Sequence, residues 1–381
     1  MRRLLPIFLL LLACNTLPVG YNELGRIPET RAFELAPESI ASYGRYAALG
    51  SSEQLAVGQD GDFHARCVLQ LSIPDTLTLD SVLSIQFTLH PVDTTRSDSF
   101  HFVCRPCSSA WDEASVSWLM AQTDDQWLNR GGDYWNVTVA EGAALKDSAV
   151  INLQYLSLDS AMQRTIRDNG LLIFPASTAD TGFLTFWSSE ADEGLRPRTK
   201  VIYLRDSTTR YFDAISDAAL IDSAPGSTRS YDLLVGSGFV FRTWMRFNLD
   251  SIPREATVAG AELRFRPTVQ YRRSDSLGLG IHRLTERYAS RGTNPRFADA
   301  TVSTFYLPPA DGDTMVRVDV TSLVQFWTSN RDSTGRDTAN FGLLVTPEPD
   351  WARLFRLRIP SIGADAPLLS VRYVLPPEGR F

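Results

Sequence analysis

Arginine is the residue type whose spacing most invites a chemical reading in this chain. Arg264 and Arg266 share one face of an alternating stretch, and Arg356 and Arg358 share one face of another. If those stretches are neighbours, four planar guanidinium forks form a ladder suited to the carboxylates of a uronate or to sulfate esters. Arg242 and Arg246 add two more cations close by, and only Lys146 and Lys200 are lysines. The competing reading is a solvated outer face neutralised by Glu262, Glu286 and Asp319. The second set is aromatic. Trp111, Trp118, Trp127 and Trp135, four of eight tryptophans, fall within WDEASVSWLMAQTDDQWLNRGGDYW. Exposed rings would offer flat platforms to pyranose rings, with Trp127 and Trp135 as the candidates. Buried rings would instead clasp a long loop onto apolar surface.

Nothing in the chain spells out catalysis. The four histidines, His64, His90, His101 and His282, show no H-E-x-x-H spacing, and there is no G-x-S-x-G elbow or phosphate loop. Acidic pairs such as Asp112-Glu113, Asp124-Asp125 and Asp192-Glu193 sit between strand patterns, where carboxylates ordinarily stabilise turns. The expectation is a protein that is not an enzyme. Asp60-Gly61-Asp62 and Asp311-Gly312-Asp313 resemble calcium loops but lack the remaining oxygen ligands. No cofactor is expected; a structural calcium is compatible with the composition, without ligands assigned, and the metal question stays open. Cys104-Arg-Pro-Cys107 could close a small disulfide loop, or either cysteine could bridge to Cys67. Zinc would need a fourth ligand, and only His101 is near.

The chain opens MRRLLPIFLLLLAC, with two arginines and then an apolar run shorter than the about 20 residues of a spanning helix. This reads as an export signal over residues 1–13. Leu11-Leu12-Ala13-Cys14 looks like the lipobox of bacterial lipoproteins, which makes Cys14 the lipidation site and residues 14–35 a Pro/Gly-containing tether. Asn15 is not the aspartate that retains lipoproteins at the inner membrane, so the expected location is the outer membrane or cell surface. Residues 1–209 hold 16 Lys+Arg against 25 Asp+Glu, and residues 210–381 hold 21 against 19. Neither half has the basic excess that nucleic acid demands.

The chain also repeats itself. Leu55-Ala56-Val57-Gly58 recurs as Leu233-Leu234-Val235-Gly236, Gly170-Leu171-Leu172-Ile173-Phe174-Pro175 as Gly342-Leu343-Leu344-Val345-Thr346-Pro347, and Pro197 to Tyr203 as Pro367 to Tyr373. Blocks in constant order at offsets of 178, 172 and 170 indicate a tandem duplication. Within each copy the apolar period is two, as in Val316, Val318 and Val320 or Phe355, Leu357 and Ile359, which predicts half-buried strands. Val82 to Leu89, Val150 to Leu153, Phe183 to Trp187 and Lys200 to Leu204 read likewise. Helical turns are predicted only around Ser157 to Arg167 and Ser322 to Trp327. The expected class is all-β, with a jelly-roll β-sandwich over residues 36–206 and another over 207–376.

These residues resemble the DNRLRE-domain family, secreted bacterial β-sandwich modules that include carbohydrate-binding module family 96. Trp111, Glu113, Val116 and Trp118 match its W-x-E-x-x-V-x-W signature, and Trp127 with Gly131-Gly132-Asp133-Tyr134 matches the extension that often follows. The second copy keeps Arg246-Phe247-Asn248-Leu249 and Val318 to Val324. It departs at Arg283-Leu284-Thr285-Glu286-Arg287-Tyr288, where the tryptophan signature should stand. The resemblance implies a structural role for Trp111, Glu113 and Trp118. Together with the lipobox, the duplication and the arginine faces, it leads to the expectation of a non-catalytic, lipid-anchored envelope protein whose partner is a uronate or sulfated polysaccharide. The alternative is a structural or adhesion subunit whose partner is another cell-surface protein.

Overall fold

The computed structural model describes residues 30–376 apart from 75–76, 78–80, 93–98, 145–148, 178–181, 206, 224–232, 274–276, 289–294, 308–314, 333, 335–337 and 349–353. The signal segment, Cys14, the tether up to residue 29 and Asp311-Gly312-Asp313 lie outside the described residues.

The first repeat contributes β1 (Thr30–Leu35), β2 (Ser39–Tyr46), β3 (Gln54–Asp60), β4 (Phe63–Gln70), β5 (Val82–Leu89) and β6 (Phe100–Pro106). Then come β7 (Met120–Gln122), β8 (Asp125–Gln126), β9 (Ala140–Ala144), β10 (Ala149–Leu153), β11 (Leu171–Pro175), β12 (Gly182–Trp187) and β13 (Arg198–Tyr203). The second repeat contributes β14 (Thr209–Asp213), β15 (Ser216–Ser223), β16 (Leu233–Ser237), β17 (Phe239–Arg246), β18 (Thr257–Phe265) and β19 (Thr268–Arg272). It ends with β20 (Leu277–Leu284), β21 (Phe297–Leu307), β22 (Val316–Asp319), β23 (Leu343–Pro347), β24 (Phe355–Ile359) and β25 (Leu368–Val374). The class is all-β, and the paired strands are antiparallel. β5 shows why: Val82, Ile85, Phe87 and Leu89 are buried while the intervening residues face outward, the alternation of a half-buried strand. Among the described residues there are two α-helices, Ser160–Asn169 and Thr321–Ser329, and each precedes a Gly-Leu-Leu strand. Asp159 caps the first, its carboxylate accepting from the N–H groups of Ala161 and Met162.

Buried apolar residues gather into two large clusters. One lies between the sheet β10-β5-β13-β14 and the sheet β12-β3-β4-β11-β6-β9, and the other between β1-β25-β18-β22 and β19-β24-β16-β17-β23-β20-β21. The sheets do not divide where the repeat does. β1 pairs β25 from Thr30↔Val374 to Leu35↔Leu369, and β2 pairs β17, so the first strands of repeat one complete the sheets of repeat two. Reciprocally, β14 pairs β13 and β15 pairs β4. The boundary expected at 206/207 is therefore a boundary of sequence repeats, and residues 30–35, expected in the tether, form a strand. The physical reason is loop length. Only residues 204–208 separate β13 from β14, so this hairpin closes with little entropic cost, and β1 is left to pair the vacant edge of β25.

A third apolar cluster, including Phe63, Phe183, Ile221, Val240 and Leu354, draws on both repeats. Polar ties cross the same region. Tyr271 donates its hydroxyl to Asp60 at 2.9 Å, and Arg273 donates to the carbonyl of Phe183 at 2.7 Å. The Asp60-Gly61-Asp62 turn is accounted for here, since both of its carboxylates accept from the second repeat.

Candidate functional site

The arginines picked out by spacing do not form one surface. Arg264 and Arg266 belong to β18, in the sheet with β25 and β22, whereas Arg356 and Arg358 belong to β24, between β16 and β19. Arg264 pairs Glu34 at 2.9 Å and Arg266 pairs Asp365 at 3.1 Å, both at half-exposed positions. Arg356 is buried. It donates to Asp62 at 2.7 Å and Ser223 at 3.0 Å and lies over the Phe63 ring, so it joins the repeats. Arg358 is exposed on the same strand. The ladder fails because a period of two fixes the face of a strand but says nothing about which sheet it enters.

The tryptophans divide between the two readings. Trp118 and Trp127 are buried, and Trp111 is half-buried; they pack with Val116 onto Val68, Leu172, Ala218 and Leu220, the outer face of β4, β11 and β15. Trp111 donates to the Asn169 carbonyl and Trp127 to the Ser117 carbonyl, each at 2.8 Å. Gly131 and Gly132 have φ of +80° and +103°, and a Cβ on either would collide with Trp118 or Leu172. Asp133 then ties the loop by accepting from the N–H groups of Leu128 and Asn129. This segment is a clasp. Trp135, 51% exposed, is the member whose ring remains open to a ligand.

Between this clasp and the sheet lies a groove of about 310 Å³, lined by Gln59, His64, Arg66, Arg105, Trp118 and Phe174, with Ala176 on its wall. Arg66 of β4 lies against the rings of Trp118 and Phe174, its carbon 5.0 and 4.7 Å from their centroids. Arg105 of β6 lies against Tyr134 and the other contact of Phe174, at 5.1 and 5.4 Å. Burial lowers the Arg66 pKa, and the Arg105 charge lowers it further. Among the described residues neither guanidinium makes an ion pair, and the Nε of Arg105 is buried without a hydrogen-bond partner. Two partly buried cations thus share one cavity, and among the described residues no carboxylate pairs with either.

The second repeat shows what such a cavity accommodates. Cys67 and Thr243 both face the central residue of the Gly-Leu-Leu strand, Ile173 or Val345, so Arg66 corresponds to Arg242. Arg105 and His282 both face the second leucine, Leu172 or Leu344, and correspond likewise. The offset of 172 then matches Ala176 with Glu348. Glu348 fills the space over Gly280, its Oε1 2.7 Å from Nε2 of His282 and accepting from Thr346 at 3.1 Å. The His282 hydrogen bond, and the Arg242 charge behind it, hold its carboxyl below the usual range. Repeat two carries its own carboxylate against Arg242 and His282; repeat one has alanine there and an open groove.

Sequence reading missed Arg66, Arg105, Phe174 and Ala176. The signal was present in the aligned blocks, where GLLIFPA stands against GLLVTPE. A second cavity, about 460 Å³, is lined by Glu262 and Asp319 as well as Arg372 and so lacks one sign of charge. Among the described residues Cys67, Cys104 and Cys107 are buried free thiols, and no helix is long and apolar enough to cross a membrane. No family model matches this chain, and no curated protein matches it in sequence.

Proposed function

We propose that this chain is a non-catalytic envelope protein that binds an anionic polysaccharide, seating a uronate carboxylate or sulfate between Arg66 and Arg105. The observation that carries the reading is the exchange of Glu348 for Ala176 at matched positions, which leaves the first repeat's cation pair open to an outside anion. Gln59 and His64 on the groove wall supply hydrogen-bonding groups for sugar hydroxyls. The resemblance to the DNRLRE-domain family and its carbohydrate-binding members points the same way. Export and acylation at Cys14 belong to the same proposal, with the tandem modules displayed from a lipid anchor.

The test is affinity electrophoresis of the purified protein through gels containing polyuronate, sulfated or neutral polysaccharide, at low and high salt. Retardation confined to the anionic polymers, relieved by salt and by Arg66→Ala, is expected. Passage through every gel at the speed of a non-binding control would overturn the proposal. If a single stoichiometric protein then copurified from crosslinked envelopes, the structural-subunit reading would take its place.

A further inference from the structure

Three carboxylates meet beside the clasp, away from the groove's cations. Glu113 comes from the tryptophan segment, Glu190 from the turn after β12, and Asp217 from the start of β15, and one oxygen of each lies within 4.8 Å of the others. Among the described residues no arginine, lysine or histidine pairs with any of them. Asp217 is 0% exposed. Its Oδ2 accepts from the Ser189 N–H at 2.8 Å, while its Oδ1 is buried with no hydrogen-bond partner. A carboxylate oxygen left unsatisfied in the interior costs free energy unless a proton or a cation meets it.

The fold itself does not ask for this arrangement. At the register of Asp217, opposite Leu69, the matching strand β2 has Ile40 opposite Met245, and Ile40 packs against the apolar core. In place of Glu190-Ala191-Asp192 the second repeat has Gly363-Ala364-Asp365. Two of the three acids are thus departures from the duplicated pattern, and both departures converge on one point. Catalysis is a poor explanation for them, because a wholly buried aspartate cannot reach a polymer.

We propose that Glu113, Glu190 and Asp217 bind one divalent cation of the calcium class. Calcium takes oxygen ligands in flexible number, and the exposed side of Glu190 gives it access to solvent for the ligands the protein does not supply. The cation would fasten the tryptophan segment, the β12 turn and the exchanged strand β15 to one another. It would thereby brace the wall that carries Trp118 into the groove, although the site stands independently of what the groove binds.

The experiment is calorimetric titration of chelator-treated full-length protein with calcium chloride, with thermal unfolding in calcium, magnesium or chelator. One calcium per chain is expected, with a rise in Tm of about 4 °C at about a hundredfold excess over Kd. Both effects should vanish in Glu190→Gln, at an exposed position outside the core, and in Asp217→Asn. Absence of heat and of any shift with the wild-type chain would overturn the proposal. So would binding that survives in both variants, or a carboxylic-acid infrared band of Asp217 that persists in millimolar calcium.

Discussion

Replacing Asp217 by isoleucine, the residue that β2 has at the matching register, should change how stability depends on pH. Burial, with the Glu190 and Glu113 charges adding to it, pushes the Asp217 carboxyl from 3.8 up to about 8. A carboxyl raised on folding is destabilising wherever the unfolded chain ionises it. Its cost is absent below the unfolded value, grows as pH rises through the interval between the two, and levels off above the folded value. At about 1.4 kcal/mol per pH unit, the metal-free wild type should lose roughly 3 kcal/mol from this group between pH 5 and pH 7.5. The Asp217→Ile chain lacks the ionisation, and any misfit of the new side chain is the same at both pH values. Urea unfolding in chelator, followed by the fluorescence of buried Trp118 and Trp127, measures both stabilities. The gap between variant and wild type should widen in the variant's favour by about 3 kcal/mol across that range. A gap that stays constant within about 1 kcal/mol would refute the reasoning, since Asp217 would then be fully paired in the folded state.

Other outcomes follow from the packing. Arg356→Ala removes a buried guanidinium bonded to Asp62 and Ser223 and should cost about 2 kcal/mol in urea unfolding, because Asp62 can regain water. Arg264→Ala breaks a half-exposed pair and should cost under about 0.5 kcal/mol in the same assay. Burial pushes the Cys107 thiol up to about 12 and raises those of Cys67 and Cys104. All three should resist iodoacetamide in the native protein and alkylate together on unfolding, as read by peptide mass spectrometry. Removing residues 30–46 strips β1 and β2 from β25 and β17, and the opened edges should drive association visible in size-exclusion chromatography.

Much of the local structure is legible in the sequence. The alternation from Val82 to Leu89 marks β5 to the residue, and the helices fall before Leu171 and Leu343 where their apolar spacing changes. Pairing partners are another matter. Because the repeats carry similar strand patterns, pattern alone does not choose between β1 and β14 as partners for β13 and β25; the short 204–208 connection favours β14 on β13, and the Glu34–Arg264 pair adds to β1 on β25. Residues 30–35 carry Phe33 and Leu35 in alternation, yet their strand gains its stability from an edge more than 330 residues away. The arginine pairs were misjudged for a related reason, since the face of a side chain is local and its neighbours are not. The groove was legible only by comparing the repeats, where Ala176 stands against Glu348; neither residue signals anything alone.

That comparison also supplies the most direct test. Ala176→Glu places in the first repeat the carboxylate that the second already holds, and it alters neither arginine. Affinity electrophoresis in polyuronate gels should show wild-type retardation, an unchanged result for Arg264→Ala with Arg266→Ala, and at least about a tenfold loss of affinity for Ala176→Glu. Retardation of Ala176→Glu equal to that of the wild type would contradict the assignment of the Arg66–Arg105 groove as the anion site.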